Sequence, residues 1–144
     1  MQKALVILKP LLADKATFSK GKVVAGTVQG DLHDIGKWLV CTMLDAAGFD
    51  VIDLGVDVSP EKFVEAVKIH KPQAIAMSAM LTTTMANMKV TIDNLEKADL
   101  RRGLLVMVGG APVSEEYAKS IGSDGTAADA AGAVRTAEEL MKVQ

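Results

Sequence analysis

The chain has 144 residues, enough for one domain with its own hydrophobic core and too few for two of ordinary size. Apolar residues make up 49% of it and charged residues 24%, the balance of a soluble globular protein. A net charge of −2 offers no basic footprint for nucleic acid or anionic lipid, and 3% aromatic content leaves no platform for stacked bases. The single cysteine, Cys41, excludes an internal disulfide and a paired-cysteine metal site. It lies in an apolar helical pattern and reads as a small core residue, in keeping with a reducing compartment. The apolar run from Ala4 to Leu8 is too short for a signal peptide, and no later stretch approaches a membrane span. The expected setting is the cytoplasm, with no nucleic-acid or membrane partner.

Residues 1–20 form a lead-in interrupted by Pro10 that reads as the tail of a helix. From Gly21 onward, strand-like and helix-like stretches alternate. Residues 22–28 are valine-rich and bounded by glycines, a strand pattern. Apolar residues then recur at Ile35, Leu39, Thr42/Met43 and Ala46 until Gly48 stops the helix. A second strand covers residues 49–54. Ser59-Pro60-Glu61 supplies an N-cap, a proline at the first helical position and an acid in the first turn, for a helix ending near His70.

Pro72 precedes a third strand at residues 74–78, and Met85, Met88, Ile92 and Leu95 set the buried stripe of the next helix. The unbroken apolar run at residues 104–108 suits a parallel strand covered on both faces. Ser114-Glu115-Glu116 opens a further helix, residues 121–126 make a weak fifth strand, and Ala130, Val134, Ala137 and Met141 line the last helix. Five strand–helix repeats predict a doubly wound α/β sheet, parallel and flavodoxin-like, in the order 2-1-3-4-5.

In such a sheet, ligands bind beyond the carboxyl ends of the strands where the winding reverses, between strands 1 and 3. The chemically unusual residues of this chain fall there. Gln29 to Gly36 follows strand 1, Ser78 to Thr84 follows strand 3, and Gly109-Gly110 ends strand 4, where the lack of Cβ atoms would let a bulky ligand approach. His33 is flanked by Asp31 and Asp34. A carboxylate on one imidazole nitrogen fixes the tautomer and makes the other nitrogen a better metal ligand, and Asp31, two residues away, is placed to do so. The hexapeptide Asp31 to Gly36 equally fits a helix cap beside a solvent-exposed histidine. Other residues read as structural. Met77, Met80, Met85 and Met88 look like core, His70 like a helix-end cation, Arg101-Arg102 like a solvated loop, and Glu115-Glu116 like a first helical turn.

Spacing adds to this. After Asp31-x-His33-x-x-Gly36 come 41 residues, then Ser78-x-Met80, then 28 residues, then Gly109-Gly110. These motifs at these intervals resemble the B12-binding domain family over residues 21–144. The resemblance implies a corrinoid (cobalamin, with cobalt) bound with its own base displaced and its nucleotide tail in a cleft of the sheet. It implies that His33 is the lower ligand to cobalt, that Asp31 bonds its far nitrogen, and that Thr84 extends the relay. Ser78 and Thr82 would contact the tail, Gly109 and Gly110 would leave room for it, and Ala127 would line the cleft. Gly30, Leu32, Asp34, Gly36 and Met80 complete the expected cofactor-binding set. Met80 stands where the family has leucine, and Trp38 where asparagine is frequent; the indole is expected to cover the helix.

Ser78-Ala79-Met80-Leu81-Thr82-Thr83-Thr84-Met85 and the stretch from Ser123 to Ala131 resemble the corrinoid proteins of methylamine, methanol and methoxyaromatic methyltransferases. That resemblance implies a non-catalytic methyl carrier of anaerobic one-carbon metabolism. Its partners would be a substrate:corrinoid methyltransferase, a second methyltransferase that accepts the methyl group, and a reductive activation protein. Full-length carriers place a helical cap before this domain, and Leu5 to Leu12 resembles its last helix, so residues 1–20 are expected to be a remnant of that cap. The alternatives are the cobalamin-binding small subunit of an adenosylcobalamin-dependent mutase and, ranked last, a B12 sensor module.

Overall fold

A computed structural model describes residues 19–142 of the chain. The lead-in expected at residues 1–20 lies, but for its last two residues, outside the described part. The strands are β1 (Lys22–Thr27), β2 (Asp50–Asp53), β3 (Ala74–Ser78), β4 (Leu105–Gly109) and β5 (Gly125–Ala127). Between and after them come helices α1 (Ile35–Ala46), α2 (Pro60–His70), α3 (Thr82–Lys97), α4 (Glu115–Ser120) and α5 (Ala130–Lys142). All five strands are parallel, in the order β2-β1-β3-β4-β5. This is the doubly wound, flavodoxin-like sheet the alternation predicts.

Successive strand side chains point to opposite faces, so each central strand feeds two cores. Val23, Ala74 and Met107 pack with Leu44 of α1 and with Ala133 and Ala137 of α5. Their neighbours Val24, Ile75 and Val106 pack instead with Phe63 of α2 and with Met88, Ile92 and Leu95 of α3. Burial on both faces is why these strands are apolar without alternation. The helix starts follow the sequence signals. Ser59 Oγ accepts from the Lys62 N–H at 3.1 Å, and Ser114 Oγ accepts from the Tyr117 N–H at 3.0 Å.

Several details go beyond the sequence reading or differ from it. The helix α1 buries Lys37, Cys41 and Leu44, while Ile35, Leu39 and Met43 are exposed by 79%, 45% and 37%. The helix is rolled so that Leu44 meets the core and Lys37 meets the Asp53 carboxylate at 2.5 Å. Strand β4 begins at Leu105, whose N–H makes the first bond to the Gln73 carbonyl, because Leu104 still closes the turn back to Arg101. Strand β5 is only Gly125–Ala127, since Ile121 ends α4 and Gly122 turns the chain with φ +83°. Arg101 is not a solvated loop residue. It bonds the Leu104 and Gly122 carbonyls and the Asp124 carboxylate, tying the starts of β4 and β5 together, whereas Arg102 is exposed.

Of the four methionines expected in the core, Met77 and Met88 are buried and Met85 packs against the core, but Met80 is exposed. Among the described residues no helix is long and apolar enough to cross a membrane. Cys41 is a core residue, and burial with the nearby Asp53 charge pushes its thiol up to about 12. A thiol so placed is protonated at neutral pH and shielded. In the folded protein it is expected to resist a maleimide at pH 8 for hours and to react within minutes in denaturing urea, read by mass spectrometry.

Candidate functional site

Beyond β1 the chain turns sharply, with the Asp31 N–H donating to the Val28 carbonyl at 3.1 Å. Gly30 sits third in this turn at φ +86°, backbone that glycine adopts without strain. The turn leaves Asp31 fully buried at 0% exposure. Its Oδ1 accepts from the His33 backbone N–H at 3.0 Å and lies 2.9 Å from His33 Nδ1. Its Oδ2 accepts from the Met80 N–H and from the Thr84 hydroxyl, both at 2.7 Å. One carboxylate thus joins the loop after β1 to the loop after β3.

Burial alone would raise the pKa of this carboxyl. The Met80 N–H, the Thr84 hydroxyl and the two His33 donors outweigh that and hold Asp31 well below the usual carboxylate range. An ionised carboxylate can only accept, so the proton between it and the imidazole belongs to Nδ1. The neutral ring then carries its lone pair on Nε2, and the His33 side chain is 57% exposed. The Thr27 hydroxyl donates to the His33 carbonyl at 3.0 Å, and Asn87 Nδ2 donates to the Gln29 carbonyl at 2.7 Å. Histidine and loop are therefore positioned by the protein's own hydrogen bonds.

Asp34 stands at the N-cap of α1 but makes no side-chain cap bond. Its Oδ1 pairs with Lys37 Nζ at 2.7 Å, and the same ammonium takes both Asp53 oxygens at 2.5 and 2.7 Å. Burial tends to lower a lysine's pKa; the two carboxylates overcome it and raise that of Lys37. This ion cluster ties the N-cap and first turn of α1, beginning one residue past His33, to the end of β2.

Beside the histidine, between α1 and α5 and over the ends of the strands, lies a largely apolar cleft of about 380 Å³. Its size is that of a cofactor or small-molecule site. Gly36, Ser78, Met80, Gly109, Gly110 and Ala127 line it. In register, Ser78, Gly109 and Ala127 stand side by side on β3, β4 and β5, and so form one row of small residues across the sheet's end. The two glycines of β4 serve different purposes. A Cβ on Gly109 would meet only the Ala127 carbonyl oxygen at 3.5 Å, so its absence keeps the cleft open. A Cβ on Gly110, at φ +128°, would lie 1.8 Å from the Ala79 carbonyl oxygen, so this glycine is needed for two loops to pass each other.

The predicted residues fall into two adjoining groups. Gly30, Asp31, His33 and Thr84 form the histidine hook, flanked by the exposed Leu32, 71% accessible, and by Asp34. The six lining residues form the cleft. Thr82 belongs to neither: it opens α3 on an exposed turn and does not line the cleft. Trp38, half-buried on α1, is also outside it. Lys37, Asp53, Asp57, Thr27 and Asn87 escape a sequence reading because each supports the hook from a distant or unremarkable position. Lys37, at the N-terminal end of the buried face of α1, stands out only once the roll of that helix is known.

Among the described residues no cluster of three His, Cys, Asp or Glu side chains could hold a metal ion by itself. The donor set fits a metal that brings its other ligands with it. One imidazole nitrogen is presented, its partner nitrogen is fixed by a carboxylate, and an apolar cleft opens alongside.

Asp31→Asn replaces an acceptor by an amide that must turn an NH₂ toward existing donors, and is expected to cost about 2–3 kcal/mol. The wild-type carboxyl is depressed in the folded state. Its stabilisation is therefore complete above the unfolded value of about 3.9 and is lost as pH falls through the lower folded one. In urea denaturation the gap between wild type and variant should narrow below about pH 4. By the same method Gly110→Ala should cost roughly 2–4 kcal/mol. Gly36→Ala, whose Cβ would meet nothing within 4 Å, should leave stability equal or raise it by up to about 1 kcal/mol.

A family model, "B12 binding domain", matches residues 21–139. The dimethylamine corrinoid protein of Methanosarcina barkeri is 44% identical over 142 residues, covering 98% of this chain and 67% of that protein. The structure of the monomethylamine corrinoid protein of the same organism superposes with a TM-score of 0.82 at 42% identity, over 97% of this chain and 66% of that one. The methanol:cobalamin methyltransferase complex of Methanosarcina barkeri contains a chain that superposes at 0.81 with 33% identity, over 88% of this chain and 48% of that one. The chain spans about two thirds of the length of the curated relatives it matches. With the histidine hook, the cleft and the parallel sheet all in place, the chain belongs to the B12-binding domain family and its cofactor is a corrinoid.

Proposed function

We propose that this chain carries a corrinoid between methyltransferases, holding it with the cofactor's own base displaced and His33 as the lower ligand. The single observation that supports the reading most is the Asp31–His33 hook, with Nδ1 held at 2.9 Å and the ring exposed beside an apolar cleft. When bound, the corrinoid supplies cobalt-centred methyl transfer. The protein's part is to bind, orient and exclude water. His33 presents Nε2, and Asp31 with Thr84 keeps the proton on Nδ1 and sets the basicity of the ring. Ser78, Gly109 and Ala127 leave room for the nucleotide tail, with Met80 at the edge of the cleft. Leu32 and Ile35, exposed beside the hook, give the corrin an apolar surface to lie on.

The relatives named above are corrinoid proteins of methylated amines and a methanol:cobalamin methyltransferase complex, which favours a carrier over the small subunit of a mutase. On this reading the chain is not itself an enzyme. It works in the cytoplasm with a substrate:corrinoid methyltransferase, a second methyltransferase that takes the methyl group on, and a reductive activation protein. Residues 21–144 are the corrinoid-binding domain.

Reconstitution of protein labelled with nitrogen-15 histidine with cob(II)alamin is expected to give an electron paramagnetic resonance spectrum with hyperfine coupling from one nitrogen-15 imidazole nitrogen, distinct from the unlabelled base of the cofactor. The His33→Ala variant should lose that coupling while keeping a far-UV spectrum like wild type; a coupling that survives removes His33 as the ligand. Gly36→Ala should take up the corrinoid at least several-fold more weakly than wild type, although the empty chain is no less stable.

A further inference from the structure

The histidine hook rests on a turn whose third residue is glycine, the residue with the most conformational freedom to lose. The turn's own hydrogen bond uses the Asp31 N–H. Two further backbone groups of the turn, the Gly30 N–H and the Asp31 carbonyl, end on one residue from another loop. The Gly30 N–H donates to Asp57 Oδ1 at 2.7 Å, and the Asp57 N–H donates to the Asp31 carbonyl at 3.0 Å. Asp57 lies between β2 and α2 with φ +51°, in the left-handed region that non-glycine residues seldom occupy and that Asp and Asn tolerate best. That conformation brings its carboxylate and its own N–H to the same turn. The next residue continues the seam, the Val58 N–H donating to the Thr27 carbonyl at 2.9 Å.

We infer that Asp57 is the positioning residue for His33, clamping the Gly30–Asp31 turn from the side opposite Met80 and Thr84. The Asp31 carboxylate is aimed by the backbone that carries it. Met80 and Thr84 fix its Oδ2, but the direction in which Oδ1 meets the imidazole depends on the backbone of Gly30 and Asp31, and Asp57 holds those two residues at their outer ends, at the Gly30 N–H and the Asp31 carbonyl. The residue is itself exposed, does not line the cleft and does not touch the imidazole. Its replacement therefore leaves every atom of hook and cleft in place and removes only what aims them. The geometry stands in the empty protein; the proposed corrinoid role of His33 gives it its purpose.

Three variants separate backbone from side chain. Asp57→Asn keeps an acceptor oxygen and tolerates the left-handed φ, Asp57→Gly keeps the φ and loses the acceptor, and Asp57→Ala loses both. Nitrogen-15 chemical shifts of the His33 ring, read in the cofactor-free protein at alkaline pH, report which nitrogen carries the proton. Wild type and Asp57→Asn should show the single Nδ1–H form. Asp57→Gly should shift both ring nitrogens toward the average of the two tautomers, and Asp57→Ala should do so at least as far. Should Asp57→Ala fail to fold, the Gly and Asn variants carry the comparison alone. Wild-type ring shifts in Asp57→Gly, with or without a lower melting temperature, overturn the inference.

Loaded with cob(II)alamin, Asp57→Gly should show a several-fold smaller fraction of spectra with histidine nitrogen coupling, rescued by Asp57→Asn. The two readings fail separately. Coupling that survives in His33→Ala removes the ligand assignment while the ring shifts of Asp57→Gly still stand. Unmoved ring shifts remove Asp57 while the coupling lost in His33→Ala still stands.

Discussion

A carboxylate with no solvent exposure is costly unless its oxygens are satisfied, and Asp31 satisfies both through two different loops. Its Oδ1 faces the backbone and ring of His33; its Oδ2 receives the Met80 N–H and the Thr84 hydroxyl. Because the group stays ionised, the imidazole must donate to it, and that settles which ring nitrogen is free for a metal. The same four hydrogen bonds hold the loops after β1 and β3 together. Structure and site share one interaction, so loosening the site necessarily loosens the edge of the fold that bears it.

Around that carboxylate the sheet supplies what a parallel, doubly wound topology always supplies. The strand ends diverge where β1 and β3 send their connections to opposite faces, and a crevice opens there. In this chain small residues widen it. Ser78, Gly109 and Ala127 align across three strands, and Gly36 leaves the start of α1 without a Cβ. The glycine pair of β4 shows that a motif can combine two constraints. Gly109 keeps the cleft open, whereas Gly110 prevents a collision with the Ala79 backbone.

The roll of α1 connects these parts. A buried lysine is tolerated because Asp34 and Asp53 surround it, and putting Lys37 inside turns Ile35 and Leu39 outward. An apolar surface next to an exposed histidine is unfavourable in water. On the proposed reading, a corrin lying over His33 covers part of that surface, and the ion cluster beneath α1 is then part of what prepares the face for it.

The sheet order, the five repeats and the pairing of His33 with Asp31 were legible because each depends on local or periodic information. Runs such as Ile75 to Met77 announce a strand buried on both sides, Ser59-Pro60-Glu61 announces a helix start, and the intervals between the three motifs point to one family. What could not be read is anything that depends on which way an element rolls, or on which distant residue meets which. The apolar recurrence of α1 identifies a helix but not which of its sides is covered, because apolar spacing is the same for a covered and an uncovered face. Met80 looked like core, and Thr82 like a cleft residue, for want of knowing where α3 begins. Arg101, Lys37 and Asp57 gained the partners that tie them to other elements only through the tertiary fold, since Gly122, Asp124, Asp53 and Gly30 lie 16 to 27 residues away in sequence. The amino-acid sequence by itself determined the fold class, the histidine and its family. The tertiary structure decided what holds that histidine, because hydrogen bonds between loops exist only once the sheet has brought the loops together.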